Sequence, residues 1–247
     1  MRTIGMIATG LVLVLLLVPF AAAAPAALPG SEAEDHRPAV LVEHGSGLNA
    51  GLVKVKHIHY VKPANPAKPV NTAKVCYKLA GYSWNSPVRY TIQTSEPSLA
   101  APVAGASGTW DAATGTDRFY TADAAGTYIP WNEASPDSWN LVTYGDYGTG
   151  GIIAVTITWY DTLTRKAVES DILFNNPFAW GDAMQNPEVM DLENIATHEI
   201  GHTLGLSDLY TKPCSTVTMF GYSTEGETSK RTLEPSDIAG LRAIYGA

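Results

Sequence analysis

The chain has 247 residues, enough for one sizeable domain with an extension or for two small ones. Only 16% of its residues are charged, and 24 acidic against 16 basic side chains give a net charge of -8. That balance offers no cationic footprint for nucleic acid, which is excluded as an expected partner.

The N-terminus reads "MRTIGMIATGLVLVLLLVPFAAAAPAALPG": one arginine, an apolar stretch from Ile4 to Phe20, then small residues through Ala27. This is the layout of a secretory signal, expected over residues 1–24. Pro19 and the alanine tract end the apolar run early for a membrane anchor, and no second run of membrane length follows. The mature protein is therefore expected to be secreted, off the membrane and monomeric. In an oxidising compartment the even pair Cys76 and Cys214 is expected to form a disulfide, with Cys76 as a latency ligand the competing reading.

Residues 25 to about 50 are rich in Ala, Pro, Gly, Ser and acidic residues and show little periodicity. "VKVKHIHYVK" (53–62) then alternates, placing Val53, Val55, His57, His59 and Val61 on one face of a strand, and "KPANPAKPVN" (62–71) reads as a proline-spaced linker. The histidine pair on this strand, His57 and His59, is expected at the surface, with contact to zinc in a latent form as the competing reading. Together these segments predict an N-terminal extension or propeptide over 25–74 and a main domain over 75–247.

Within that domain "VRYTIQT" (88–94) predicts a strand, and "SLAAPVAGASGTWDAAT" (98–114) a helix weakened by Pro102, Gly105 and Gly108. "RFYTA" is a short strand. "IIAVTITWYD" (152–161) is the clearest strand, and "AVESDILFN" (167–175) its neighbour after the "TLTRK" turn. Trp84, Trp110 and Trp159 are expected in the core. Two helices follow, one through residues 191–204 with Asp191 as N-cap, the other across "PSDIAGLRAIYG" (235–246). Strands first and helices later predict an α+β domain without internal repeats.

The first of these helices carries "HEIGHTLGLSD" (198–208). Leu192, Ala196, Ile200 and Thr203 form its apolar stripe, and His198 and His202 lie one turn apart on another face. That spacing brings two imidazoles toward a point about 2 Å from each, as a zinc ion requires, with Glu199 beside them as general base. Gly205 permits a positive φ, so the chain can turn and bring Asp208 back as a third ligand. No histidine follows His202, and Glu225 and Glu227 are the alternative carboxylate ligands. Three protein ligands leave one open position, the arrangement of a catalytic zinc.

HEIGHTLGLSD resembles the metzincin pattern HExxHxxGxxH/D, and "DLENIATHEIGH" with "PSDIAGLRAIYG" resembles matrixins. The aspartate third ligand is similar to snapalysins. The resemblance implies a zincin-like fold, a twisted mixed sheet with an active-site helix and a C-terminal helix. It implies a secreted zinc endopeptidase acting on protein or peptide substrates. His198, His202 and Asp208 would hold zinc, Glu199 would move the proton, and Met219 in "STVTMFGY" would form the methionine turn. It further implies that "SDILFNNPFAW" (170–180) runs along the cleft, and that oxygen ligands among Asp146, Asp171, Asn175 and Asp182 hold a structural calcium. Two departures stand out. Tyr222 follows the methionine by three residues and is read as a pocket wall, and no cysteine-switch motif is present. A zinc-binding but inactive module of the same fold is the competing function.

Overall fold

The computed structural model describes residues 41–44, 51–63, 75–121 and 128–246. The expected signal, residues 25–40 of the extension and residues 64–71 of the linker lie outside the described residues. The strands are β1 (Leu41–His44), β2 (Leu52–Val61), β3 (Val88–Ile92), β4 (Phe119–Thr121), β5 (Leu141–Gly145), β6 (Ile152–Asp161), β7 (Ala167–Asn175), β8 (Trp180–Gly181), β9 (Met190–Asp191) and β10 (Tyr222–Ser223). The helices are α1 (Ala100–Thr114), α2 (Leu192–Thr203) and α3 (Pro235–Tyr245).

One sheet runs in the order β1-β2-β6-β7-β5-β3-β4, with β10 also paired to β2, and β8 and β9 form a separate parallel pair. The β6–β7 hairpin is antiparallel, as the short "TLTRK" turn requires, and Arg165 in that turn takes φ 57°. β7, β5, β3 and β4 pair in parallel. The domain is thus α+β with a mixed sheet. Helices cover one face, and Trp110, Phe174, Ile195, Ile200, Met219 and Leu241 fill the space between in one apolar cluster. Trp110 and Trp159 are buried, and Trp84 packs half-buried against the cluster.

α1 is a regular helix of 15 residues despite its two glycines and proline. Pro102 falls in the first turn, where the missing N–H has no intrahelical acceptor to lose. Gly105 lies against α2, where a Cβ would sit 3.0 Å from the Glu193 carboxyl, so the small residue permits close helix packing.

Three expectations need correction. β2 is a full member of the sheet, pairing antiparallel with β6 from Leu52↔Asp161 to Tyr60↔Ile152, and β1 pairs with it in turn. A spatial boundary at residue 75 would cut that pairing, because Val53 and Val55 pack on Tyr82, Tyr160 and Ala167 of the expected main domain. The histidines of β2 are not at the surface: His57 and His59 are both fully buried. Finally, β7 does not run along an open cleft. It lies inside the sheet between β6 and β5, and it is β6 that reaches across to the histidine helix.

Candidate metal centre

α2 begins where the sequence places it. Asp191 accepts from Asn194 N at 2.8 Å as N-cap, and its carboxylate also binds Arg231 Nε at 2.8 Å and Ala183 N at 2.8 Å. Burial pushes the Asp191 carboxyl up, and Arg231 outweighs it, leaving the group below the usual range. From this fixed start His198 and His202 fall one turn apart. The helix is buried on nearly every side, because β2 covers the histidine face that the apolar stripe leaves free.

Leu204 and Gly205 end the helix, with Gly205 at φ 104°. A Cβ there would meet the Tyr82 carbonyl oxygen at 2.6 Å, so both the backbone angle and the close approach exclude a larger residue. The chain then runs along residues 78–80, with Ala80 N donating to Gly205 O at 2.7 Å and Ser207 N to Lys78 O at 2.8 Å. Leu209 pairs with the Met219–Gly221 segment through Leu209 N to Met219 O and Gly221 N to Leu209 O. These bonds fix Asp208 beneath the helix.

His198 Nε2, His202 Nε2 and Asp208 Oδ1 form a triangle with sides of 3.0, 3.1 and 3.3 Å. Tetrahedral ligands about 2.0–2.1 Å from one ion lie roughly 3.3 Å apart, so the triangle has the size of three zinc ligands. Its chemistry fits as well. His198 Nδ1 lies 2.7 Å from Thr218 O, and His202 Nδ1 lies 2.9 Å from Leu206 O. A carbonyl only accepts, so each Nδ1 carries the hydrogen and each neutral ring turns a lone pair toward the carboxylate. Three acceptors at contact distance need a cation among them.

Glu199 stands beside this triangle without belonging to it. Its Oε2 accepts from Thr156 Oγ1 of β6 at 2.5 Å, while Oε1 has no hydrogen-bond partner. Burial pushes its carboxyl up to about 7, with the Thr156 hydroxyl acting against the rise. A carboxyl poised there can both take and return a proton near neutrality.

Met219 is buried against Gly201, the residue before His202, and a Cβ on Gly201 would run into its sulfur and the Trp110 ring. Asp237 holds this turn: it accepts from Thr218 N at 2.9 Å and Met219 N at 3.2 Å, and so positions the Thr218 carbonyl behind His198. Sequence reasoning missed Asp237. Its signal is the third position of the α3 capping box that begins at Glu234.

Tyr222 pairs through its backbone with Tyr60 of β2, and its ring packs on Tyr210 and Phe220, forming a wall beside that strand. Glu225 is exposed and Glu227 pairs with Lys230, so neither alternative ligand joins the triangle. Cys76 is bonded to Cys214, which commits the thiol that a latency role would need. The expected calcium ligands do not converge. Asp146 accepts from Gly148 N, Asp171 from Leu141 N and Asn175 from Tyr147 N, while Asp182 pairs with Arg231. Each is engaged with a different protein partner, so calcium is not supported. A surface depression lined by Tyr144, Trp180, Asp182, Glu193 and Arg231 lies by the first turn of α2, and none of the triangle residues lines it.

The residues most misjudged from sequence are His57 and His59. The His57 ring stacks on His202 with centroids 4.1 Å apart, and the His59 ring meets His198 edge-on at 4.0 Å. Two groups of possible metal donors result among the described residues: His57, His202 and Asp208, and His59, His198 and Glu199. Alternation had placed both histidines on one face; what that face meets depends on pairing with a strand about a hundred residues later.

Residues 146–246 match the matrixin family of peptidases. The match takes in β6, β7, the triangle, the methionine turn and α3, and does not extend to β2. No curated protein matches the chain.

Proposed function

From its matrixin-like residues 146–246, a zinc metalloprotease-type domain, we propose that this chain is an exported endopeptidase that hydrolyses peptide bonds in proteins. The observation that carries the reading is the triangle of three acceptors with a second, separate carboxylate at its side. His198, His202 and Asp208 would hold the zinc, which when bound polarises the scissile carbonyl and activates the attacking water. Glu199 Oε1 takes the proton from that water and returns it to the leaving amine. Thr156 holds the other oxygen, which leaves Oε1 to exchange the proton. The Nδ1 hydrogen bonds to Thr218 and Leu206 orient both rings and raise their basicity. The signal pattern at the N-terminus and the Cys76–Cys214 bridge support export.

A zinc-holding, inactive module is the second reading, and burial of the whole centre under β2 favours it. Incubating the protein recovered from culture medium, both uncut and cut between residues 63 and 75, with casein separates the two. The endopeptidase reading expects cleavage by at least one form, abolished by a zinc chelator and by Glu199→Ala, with zinc still bound by that variant. Zinc-loaded protein that cuts neither casein nor a diverse peptide library in any form would overturn it in favour of the module.

A further inference from the structure

The depression beside the first turn of α2 encloses about 360 Å³ and shares no residue with the metal triangle. Its wall joins the first turn of α1, the end of β5 at Tyr144, β8, and Leu192 and Glu193 of α2. Ligand sites span roughly 300–1,000 Å³, so this one suits a single long side chain. Tyr144 and Trp180, both half-buried, line it with ring centroids 6.4 Å apart and planes tilted by 49°, so neither ring covers the face of the other. The indole is held in place: Nε1 donates to Asn175 O at 2.9 Å, and the ring meets Phe174 edge to face at 5.2 Å.

The charges around this wall are unbalanced. Arg231 is its one cation among the described residues, and three carboxylates surround it. Asp191 accepts from Nε and Nη2, Asp182 Oδ1 shares Nη2 at 2.6 Å, and Glu193 Oε2 stands 3.6 Å from Nη1, beyond hydrogen-bond distance. Asp191 is buried, whereas the Asp182 and Glu193 side chains are 47% and 31% exposed, so the excess negative charge lies where a ligand can reach it. An anion would meet both carboxylates, and the α2 terminus offers it nothing, because Asp191 already accepts from Asn194 N. An apolar ligand would take water from the carboxylates and return no partner. No three metal donors converge here among the described residues. Rings elsewhere in the chain carry a lysine or arginine 4.6–5.6 Å from their centroids, as Arg118 stands over Tyr245; Tyr144 and Trp180 have no such cation from the described residues.

We propose that this depression is a recognition site for a basic side chain of a polypeptide, a lysine ammonium or an arginine guanidinium. The alkyl stem lies against Leu192 and the two rings, whose faces attract a cation, and the charged head pairs with Asp182 and Glu193. The site sits apart from the reaction. Glu193 precedes His198 by five residues, about 7.5 Å along the helix axis, and turns toward Gly105 of α1, while His198 meets His59 of β2. The binding itself needs no metal. Its use rests on the endopeptidase reading: the polypeptide is then the substrate, and the site favours chains that carry a lysine or arginine away from the bond that is cut.

An NMR titration of the isotope-labelled full chain tests the site without any catalysis. The probes are acetyl-glycyl-lysyl-glycinamide, its arginine counterpart and the uncharged norleucine analogue, at low ionic strength. The Trp180 indole signal, assigned by its loss in Trp180→Phe, and the Gly181 amide are the reporters. Either basic peptide is expected to move both signals saturably, half-complete by about 10 mM, and added salt should weaken the binding. Glu193→Gln and Asp182→Asn, each of which keeps the shape and removes a charge, are expected to weaken it roughly threefold or more, and Trp180→Phe by a similar factor. Norleucine binding as tight as lysine binding overturns the inference, and so does affinity unchanged in both charge variants. Absence of any shift from both basic peptides also overturns it. Each of these results leaves the endopeptidase reading standing, because that reading is decided by casein cleavage. If the basic peptides bind and no form cuts casein, the recognition site stands and only its use in proteolysis falls.

Discussion

The imidazole of His57 lies flat on that of His202, with ring centroids 4.1 Å apart and planes within 9°. One ring belongs to a strand near the N-terminus and the other to the helix at the centre of the domain, so a metal held on α2 would be linked to order in β2. Amide hydrogen exchange should show this. Zinc is expected to slow exchange at β2 more than in the β6–β7 hairpin, because a ligand stabilises most the element whose order depends on it. Equal protection of both by zinc would separate β2 from the metal.

Gly205 is the position where substitution should be most selective. Gly205→Ala forces a side chain into the left-handed region and against the Tyr82 carbonyl. We expect a loss of about 1–3 kcal/mol in urea unfolding. Zinc content should fall with it, since the turn delivers Asp208. A variant with unchanged stability and zinc would show that the turn tolerates a Cβ.

Asp237 touches no reacting group and acts through the Thr218 and Met219 amides. Removing it in Asp237→Ala should weaken zinc binding roughly 10- to 100-fold, the usual effect of losing a residue that orients a ligand. Competition with a chelator of known affinity measures this. Asp237→Asn, which keeps one acceptor, is expected to fall between the two.

Thr156→Val should retain zinc and lose rate. The Thr156 hydroxyl lowers the Glu199 carboxyl from an otherwise higher position, so its removal moves that group further up. The acid limb of the pH–rate profile of the cleavage-competent form is expected to shift to higher pH, with activity reduced roughly 10- to 100-fold. An unchanged acid limb would remove Thr156 from the proton path.

Stability should also depend on pH through a carboxyl far from the reaction. Burial pushes Asp171 up to about 8 from an ordinary 3.8. Below the ordinary value both folded and unfolded chains hold the proton and the full contribution is present. Between roughly pH 4 and 8 the unfolded chain releases it and the folded one does not, so stability falls as pH rises. Asp171→Asn keeps the acceptor for Leu141 N and is expected to flatten that decline. A residual slope from Glu169, pushed up by burial to about 7, should remain. Thermal midpoints of both proteins from pH 4 to 9 decide it; parallel curves would place the Asp171 proton elsewhere.

What was legible in the sequence was local. Helical spacing brings His198 and His202 together within one element, and the glycine at 205 with no histidine beyond 202 leads to Asp208. The Cys76–Cys214 bridge follows from counting two cysteines in a chain expected to be exported. The misjudged features depend on distant partners. β2 shows its alternation in the sequence, but its burial comes from β6, and nothing within ten residues reveals that pairing. α1 looked weak because propensity scores Gly105 as a cost, whereas packing on Glu193 makes the missing Cβ useful. The calcium reading is not supported because these side chains already accept from backbone amides, two residues away for Asp146 and across the sheet at Leu141 for Asp171.

The bridge between Cys76 and Cys214 has a meaning beyond stability once β2 is placed. Cys76 is the second described residue after the linker, and Cys214 lies six residues past Asp208. Any cut upstream of Cys76 therefore yields two fragments with different fates. The N-terminal one can diffuse away, while the new end of the other stays fastened beside the loop that delivers the carboxylate ligand. Processing at scattered points along the linker would give ragged termini on one and the same rigid body, so the point of cleavage need not be exact for the product to be uniform in its working parts.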